Sequence, residues 1–167
     1  MSELDDFRKN KDEYFGSNSN SPLTDEQQEH FKGLPYFPEN PELVLEIEVK
    51  PFEGQEKIQL PTSTGDIKTY TRYGRFTFDV EGQAAELTLF ANAGSFFLPF
   101  VDSQAGTETY GAGRYLDPHQ LPDGTFLIDF NHAYNPYCAY NENWNCPLPP
   151  AENKLSVPIK AGEKNFK

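Results

Sequence analysis

Several stretches between residues 43 and 130 alternate apolar and polar side chains with a period of two. The alternation is longest in LVLEIEV (43–49), GRFTFDV (74–80) and QAAELTLFA (83–91), and it is typical of strands with one face in a core. Glu81-Gly82 joins the last two stretches, which predicts a tight hairpin because glycine tolerates positive φ. Shorter strand candidates are KIQL, IKTYTRY, SFFLPF, RYLD and TFLIDFN, with turns at 62–65, 92–94 and 122–124. Strands that follow one another without helices between them predict an antiparallel meander, closed into a barrel or folded into a sandwich.

Two helices are predicted before the strands. Residues 3–15 place apolar side chains at helical spacing. Thr24 and Gln27 have the spacing of a capping box that opens a second helix, DEQQEHFK, and Gly33 would end it. We therefore expect one α+β domain, mainly β, with two N-terminal helices packed on an antiparallel, partly closed β-barrel or sandwich. Its parts are a helical segment (1–33), a β meander (43–130), and a long ordered loop with a C-terminal strand (131–167).

The segment from Asn131 to Leu155 shows neither the strand period nor the helix period, and prolines interrupt it. Long irregular segments in compact domains are usually functional or disordered. Disordered segments are poor in aromatic residues, whereas this one is rich in them. Its aromatic residues are Tyr134, Tyr137, Tyr140 and Trp144, and its asparagines stand at 131, 135, 141, 143, 145 and 153. We expect an ordered loop in which asparagines bond backbone groups and tyrosines line a pocket.

This segment also carries a family resemblance. The run DFNHAYNPYCAYNENWNCPLPPAENKL, together with TETYGAGRYLD at 107–117 and the SPL and YFP elements near the N-terminus, resembles the DUF1684 family of uncharacterised bacterial and archaeal proteins. The resemblance extends over nearly the whole chain and implies no particular activity. Where the motif leads us to expect Arg or Lys between its Asn and Ala, this chain has His132.

The charge balance excludes several classes of partner. The net charge is −12 at pH 7, whereas nucleic acids and anionic membranes are bound by clustered Lys and Arg. No stretch is long and apolar enough to span a membrane, and the N-terminus has no apolar signal region. We therefore expect a cytoplasmic protein whose cysteines are thiols.

Asp129 and Asn131 are the first candidate site residues. In TFLIDFN, alternation places them together on the face opposite Phe126, Ile128 and Phe130. A carboxylate beside an amide would bind a polar ligand or act as a general base with its orienting group. The alternative is structural: Asp129 pairs with Arg114 or accepts backbone N–H groups of the irregular loop.

Arg114 is the second candidate, in TYGAGRYL. An arginine beside tyrosines makes a good clamp for a carboxylate or phosphate. An internal ion pair with Glu108, Asp117 or Asp129 is equally compatible with the pattern. The segment does not match the G-x-G-x-x-G motif, so no dinucleotide cofactor is predicted.

Cys138 and Cys146 are the third candidate pair. Their spacing does not fit a structural zinc site, even with His119 or His132 added, so no metal is predicted. A thiol nucleophile at Cys138 with His132 as its base is chemically feasible. However, no Lys or Arg lies between Phe126 and Ala151, so we expect burial to raise the pKa of Cys138 and keep it unreactive. The alternatives are two buried apolar residues or a pair close enough to oxidise.

Taken together, the sequence predicts a non-catalytic module that binds a small molecule in a polar and aromatic pocket. The candidate ligand-binding residues are Arg114, Asp129, Asn131, Asn135, Tyr137 and Cys138. A thiol-dependent or acid–base enzyme (a hydrolase or transferase) and a scaffold for another protein are the alternatives. The pattern names no cofactor, no metal and no oligomeric state.

Overall fold

Two helices open the chain in the computed structural model, which describes residues 3–92, 94–140 and 146–166. They are α1 (Glu3–Ser17) and α2 (Asp25–Glu29). The capping box is present: the backbone N–H of Gln27 donates to the Thr24 hydroxyl (3.2 Å), and the backbone N–H of Thr24 donates to the Gln27 side chain (2.8 Å). Helix α2 is shorter than predicted because the N–H groups of His30 and Phe31 bond carbonyls three residues back, which tightens its last turn.

The rest of the described chain is mainly β. Its strands are β1 (Val44–Ile47), β2 (Lys50–Pro51), β3 (Lys57–Pro61), β4 (Ile67–Val80), β5 (Gln83–Asn92), β6 (Ser95–Phe100), β7 (Arg114–Leu116), β8 (His119–Gln120) and β9 (Phe126–Asp129). All pair antiparallel, in a three-stranded sheet of order β1-β9-β8 and a six-stranded sheet of order β2-β4-β5-β6-β7 in which β3 also pairs with β4. Within these residues neither sheet closes into a barrel.

Strand β4 joins two stretches that the sequence separates. An irregularity between Arg72 and Gly74 lets one strand continue through IKTYTRYGRFTFDV. Gly74 is required there, since a Cβ would lie 2.5 Å from the carbonyl oxygen of Lys50. The hairpin at Glu81 and Gly82 is confirmed, with both residues at positive φ (50° and 83°), as a type I′ turn requires. The predicted turn at 92–94 includes Ala93, which lies outside the described residues.

Both sheets share one core, and Phe130 shows how they meet. Phe126, Ile128 and Phe130 are buried, as the alternation predicts. The Phe130 ring stacks on Phe78 of the larger sheet, with centroids 5.4 Å apart, and meets Phe100 edge-on at 5.3 Å. Aromatic contacts of this kind add to the stabilisation from buried area.

The C-terminal strand that the sequence predicts is absent from the described residues. After residue 153 the chain makes single bridges instead, between Val101 and Lys154 and between Tyr36 and Glu163. The carbonyl groups of Ile159 and Ala161 accept hydrogen bonds from a buried arginine side chain rather than from a neighbouring strand. No helix in the described ranges has the length and apolar character needed to cross a membrane.

Candidate functional site

A cavity of about 750 Å³ lies where helix α1, the larger sheet and the irregular segment meet. Its wall is mainly aromatic. The lining residues are Phe7, Asn10, Lys11, Lys68, Tyr70, Phe97, Tyr115, Asp117, Tyr134, Pro136, Tyr137, Cys146 and Pro147. Phe7 and Tyr137 are exposed (42% and 38%), so this side of the cavity is open to solvent.

The strands supply the rigid part of the wall. Lys68 and Tyr70 share one face of β4 because side chains two apart point the same way. The Tyr70 ring stacks on Phe97 of β6 at 5.2 Å, and Phe97 meets Tyr115 of β7 edge-on at 4.7 Å. The Tyr115 hydroxyl donates to the carbonyl oxygen of Pro147, which holds this ring in place.

Helix α1 and the irregular segment supply the other side. Phe7, Asn10 and Lys11 are three and four residues apart, so they lie on one helix face. The Lys11 ammonium lies 5.2 Å from the centre of the Tyr134 ring, within reach of a cation–π interaction. Tyr134 is fixed in turn by backbone hydrogen bonds in both directions with Tyr115 (2.8 and 3.0 Å).

Most charges around the cavity are already engaged. Lys11 forms an ion pair with the buried carboxylate of Glu163, and Asp117 accepts a hydrogen bond from the Tyr134 hydroxyl (2.8 Å). Burial raises the pKa of both Tyr115 and Tyr134, so their phenols stay protonated donors at neutral pH. Lys68 is exposed and forms no ion pair in the part of the chain that the structure describes.

The two cysteines lie side by side at the edge of the cavity, and both are free and buried. The backbone N–H of Cys138 donates to the sulfur of Cys146 at 3.3 Å. The Tyr110 hydroxyl lies 3.8 Å from the sulfur of Cys138, and the backbone N–H of Cys146 donates to the Ser63 hydroxyl at 3.2 Å. Only Cys146 belongs to the cavity wall itself.

The pKa of Cys138 differs from the sequence-based expectation. A hydrogen bond from the Cys146 thiol, aided by Tyr110 and Ser63, outweighs burial and lowers the pKa of Cys138 to about 6. The same hydrogen bond, together with burial, raises the pKa of Cys146. The expected rise at Cys138 was wrong because its donors come from residues 8, 28 and 75 positions away.

Arg114 lies in the core rather than in the cavity. Its side chain is 1% exposed and donates to the carbonyl oxygens of Ala161 (2.5 Å), Glu163 (3.0 Å) and Ile159 (2.8 Å). Burial lowers its pKa to about 10, which still leaves it charged at neutral pH. Its carboxylate partner, at 3.7 Å, is Asp102, and not Glu108, Asp117 or Asp129. This arginine is an internal clamp for the C-terminal segment.

Asp129 and Asn131 are adjacent, as predicted, but they bond to each other and to backbone. One Asp129 oxygen accepts from the backbone N–H and the side-chain amide of Asn131, each at 2.9 Å. The Asn131 side chain also bonds both backbone groups of Asn40, at 2.7 and 2.9 Å. Asn135 is likewise buried, and its side chain donates to the carbonyl oxygen of Lys164 at 3.0 Å. These three residues lie outside the cavity lining.

Of the predicted ligand-binding residues, Tyr137 lines the cavity and Cys138 lies beside a lining residue. His132 contacts Phe7 (4.7 Å between rings) and Asp129 (3.6 Å), so the structure does not bring it to Cys138 as a base. Sequence reasoning missed Lys68, Tyr70 and Phe97, although the strand period in IKTYTRY places the first two on one face. Trp144 and the asparagines at 141, 143 and 145 lie outside the described residues. Within the described ranges, no cluster of three or more His, Cys, Asp or Glu residues could hold a metal ion.

The fold and the cavity define a mainly antiparallel β protein with two helices and an aromatic pocket edged by two thiols. The chain belongs to the family described as "Protein of unknown function (DUF1684)", whose model matches residues 29–164. It is also similar to an uncharacterized protein of Haloarcula marismortui whose structure was solved by NMR in solution. The identity is 34%, the match covers 96% of this chain and 91% of that chain, and the TM-score is 0.73. No curated protein matches the chain.

Proposed function

We propose that the protein binds a small molecule in this cavity and does not transform it. The observation that carries the proposal is the cavity itself: about 750 Å³ falls within the roughly 300–1,000 Å³ of known ligand sites. Such sites are concave, mostly apolar and provided with a few polar groups, which describes this wall. The ligand class is a compound with a flat, largely apolar body and one acidic group.

The flat body follows from the rings. Tyr70, Phe97 and Tyr115 form a continuous series of ring contacts from β4 to β7, and Tyr134 meets Tyr115 edge-on at 5.8 Å. Aromatic side chains bury large areas with little loss of rotamer freedom, and they favour stacked or edge-on partners. A planar ring system uses this wall better than a flexible chain of the same volume.

The acidic group follows from Lys68. Lys11 already neutralises Glu163, whereas Lys68 brings to the wall a positive charge that pairs with no described carboxylate. The Lys68 ammonium has three N–H donors, which suit a carboxylate or sulfonate. Because the carboxylate of Asp117 would repel a second anion, we expect the acidic group of the ligand beside Lys68.

The cavity needs helix α1 and the irregular segment as its second side. We infer that α1 and the irregular segment 131–155 pack in an ordered way on the sheet and complete the cavity. Edge-on contacts of Phe15 with Tyr140 (5.2 Å) and Tyr137 (6.3 Å), together with the pair of Lys11 and Glu163, support this arrangement. We place the protein in the cytoplasm, where two free thiols persist.

The experiment is a thermal-unfolding screen against planar aromatic carboxylates and their uncharged amides. A ligand at one hundred times its Kd adds about 2.7 kcal/mol to the free energy of unfolding. We expect carboxylates to bind more tightly than their amides, and Lys68→Ala to remove that preference with a loss of about tenfold in Kd. Lys160→Ala, an exposed lysine outside the lining, is the matched control and should leave Kd unchanged.

A second variant pair tests the aromatic wall. Tyr137 and Tyr14 are equally exposed (38%), but only Tyr137 lines the cavity. Tyr137→Ala should weaken binding and Tyr14→Ala should not. A screen without any stabilising compound, or hits that bind all four variants equally, would remove the proposal.

A thiol-dependent enzyme is the second candidate, and one observation favours it: the pKa of Cys138 is lowered to about 6. Acyl or group transfer also needs a base that accepts or returns a proton. His132, which the sequence offers for that role, is engaged with Asp129 and Phe7. Turnover of an activated ester that Cys138→Ser abolishes would place this candidate first.

A further inference from the structure

We propose that Cys138 and Cys146 form a thiol–disulfide exchange site that accepts low-molecular-weight disulfides through the aromatic cavity. The inference goes beyond the proposed function and rests on it only in that the cavity admits small molecules. Binding of a planar acid in the cavity involves no electron transfer. Disulfide exchange, in contrast, oxidises the two thiols by two electrons.

The geometry of the pair is the first argument. The two residues are eight positions apart, yet the backbone N–H of Cys138 reaches the sulfur of Cys146 at 3.3 Å, so the two side chains are neighbours. A disulfide requires such proximity of the two Cβ atoms. Cys138 lies in a short 3-10 helix (Tyr137–Ala139) and Cys146 in an irregular stretch, so neither side chain is fixed by a sheet.

Access is the second argument. Cys146 lines the cavity, while Cys138 and Cys146 remain 9% and 6% exposed. Around them pack Tyr115, Phe97, Tyr110 and Tyr134, of which all but Tyr110 also line the cavity. A small disulfide that enters the cavity therefore reaches the wall at Cys146, beside Cys138.

The two thiols also share a proton. The Cys146 thiol donates to the sulfur of Cys138, which favours the thiolate of Cys138 and disfavours a second ionisation at Cys146. The pair therefore loses its first proton readily, and the charge belongs to both sulfurs. The other titratable groups that face the pair are Tyr110, Tyr115 and Lys68. A thiolate next to a protonated thiol is the arrangement that exchange needs, with one sulfur to attack and one to resolve.

The reaction is balanced in two steps. The thiolate of the pair attacks one sulfur of RS–SR, which forms a protein–SR bond, breaks the RS–SR bond and releases RS⁻. The remaining protein thiol gives its proton to RS⁻ and attacks the protein sulfur that carries SR. The second RS⁻ leaves and takes a proton from water, and the Cys138–Cys146 disulfide forms. The protein pair loses two electrons, and RS–SR is reduced to two RSH.

The test uses the full chain and bis(2-hydroxyethyl) disulfide as the probe, with acid quenching, alkylation and intact-mass measurement. We expect native wild-type protein to lose two hydrogens and to keep no adduct. Cys138→Ser and Cys146→Ser should each stop at a stable mixed disulfide that carries one hydroxyethylthio group. The wild-type rate should rise with pH through a midpoint near 6 and then level off. The same disulfide attached to a long polyethylene glycol chain should react at least tenfold more slowly.

Two results would overturn the inference. One is a mixed disulfide that persists on the native wild-type protein; the other is a lack of reaction until urea unfolds it. Both single variants are first compared with wild type by thermal unfolding, and a Cys138→Ala and Cys146→Ala pair replaces any serine variant that fails to fold. If a ligand stabilises the protein but no disulfide forms, only the exchange site is lost. If the disulfide forms but no ligand is found, only the binding proposal is lost.

Discussion

The guanidinium of Arg114 lies 3.7 Å from the carboxylate of Asp102, and each side chain is only 1% exposed. Neither charge reaches water, so each depends on the partners that the fold provides. Asp102 also accepts from the Thr109 hydroxyl (2.7 Å) and from the backbone N–H of Ile159 (2.8 Å). Together the two residues hold the C-terminal segment against the core.

Arg114→Ala should therefore destabilise the protein by about 3 kcal/mol, because it leaves a buried carboxylate without its counter-charge. Arg75→Ala is the matched control. Its pair with Glu86 (3.2 Å) joins side chains that are 45% and 52% exposed, so the loss should stay below about 1 kcal/mol. Urea unfolding measures both, and equal losses would show that Arg114 is not a buried clamp.

Lys11 should be the residue that holds helix α1 in place. Its partner Glu163 is 2% exposed and also accepts from the Tyr140 hydroxyl, so Lys11→Met leaves a buried negative charge unneutralised. We expect a loss of about 3 kcal/mol, against less than about 0.5 kcal/mol for Lys9→Met on the exposed side of the same helix. Urea unfolding of the two variants decides, and an unchanged stability in Lys11→Met would contradict this role.

The reactivity of Cys138 should depend on the hydrogen bond from Cys146. In wild-type protein, alkylation of Cys138 by iodoacetamide should have a titration midpoint near pH 6. Cys146→Ser keeps a hydroxyl donor and should keep a lowered pKa, whereas Cys146→Ala removes the strongest donor and should raise the pKa of Cys138, since only weaker donors such as Tyr110 and Ser63 then oppose burial. Identical pH profiles in the two variants would rule out this cause.

The lowered pKa has a consequence for stability. A thiol that ionises more readily when folded binds fewer protons than the unfolded chain, so stability should rise with pH between about 6 and 9 through this group. That contribution is lost as the pH falls through about 6. The free energy of unfolding of Cys138→Ala, measured at several pH values, should lack this part of the pH dependence.

The irregular segment should exchange its amide hydrogens slowly where it is described. The N–H groups of Tyr134, Leu148 and Leu155 bond backbone carbonyls of other elements at 3.0, 2.8 and 2.7 Å. Near the end of the segment, the fully buried side chain of Asn153 bonds backbone groups of β5 and β6 at 2.8–2.9 Å. Exchange as fast as in the exposed residues 53–55 would contradict an ordered segment.

Much of the sheet could be predicted because it depends on local periodicity. Alternation located the second half of β4, and the Glu81-Gly82 dipeptide fixed the register of the hairpin that joins β4 to β5 through a turn that glycine favours. An internal ion pair was one of the two interpretations of Arg114 that the sequence allowed. Its partner could not be predicted, since Asp102 is brought to it by the pairing of β6 with β7, which no local pattern encodes.

The site could be predicted only in part, because contacts between distant segments leave no local pattern in the sequence. Tyr137 and Cys138 stand in the segment whose composition suggests a pocket, whereas Tyr70 and Phe97 belong to strands that read as ordinary β structure. Their stacking at 5.2 Å depends on the antiparallel register of β4, β5 and β6. Asp129 and Asn131 were placed together correctly, but the bonds of Asn131 to Asn40 depend on a segment 91 residues away.

The most direct test of the binding proposal is a two-dimensional NMR titration of the isotope-labelled protein with the best compound from the screen. We expect saturable shifts at Tyr70, Phe97, Tyr115 and Tyr134, with the same Kd at each and with a Kd about tenfold weaker in Lys68→Ala. Saturable shifts confined to the surface groove around Phe52 and Arg75, with the cavity residues unmoved, would contradict it.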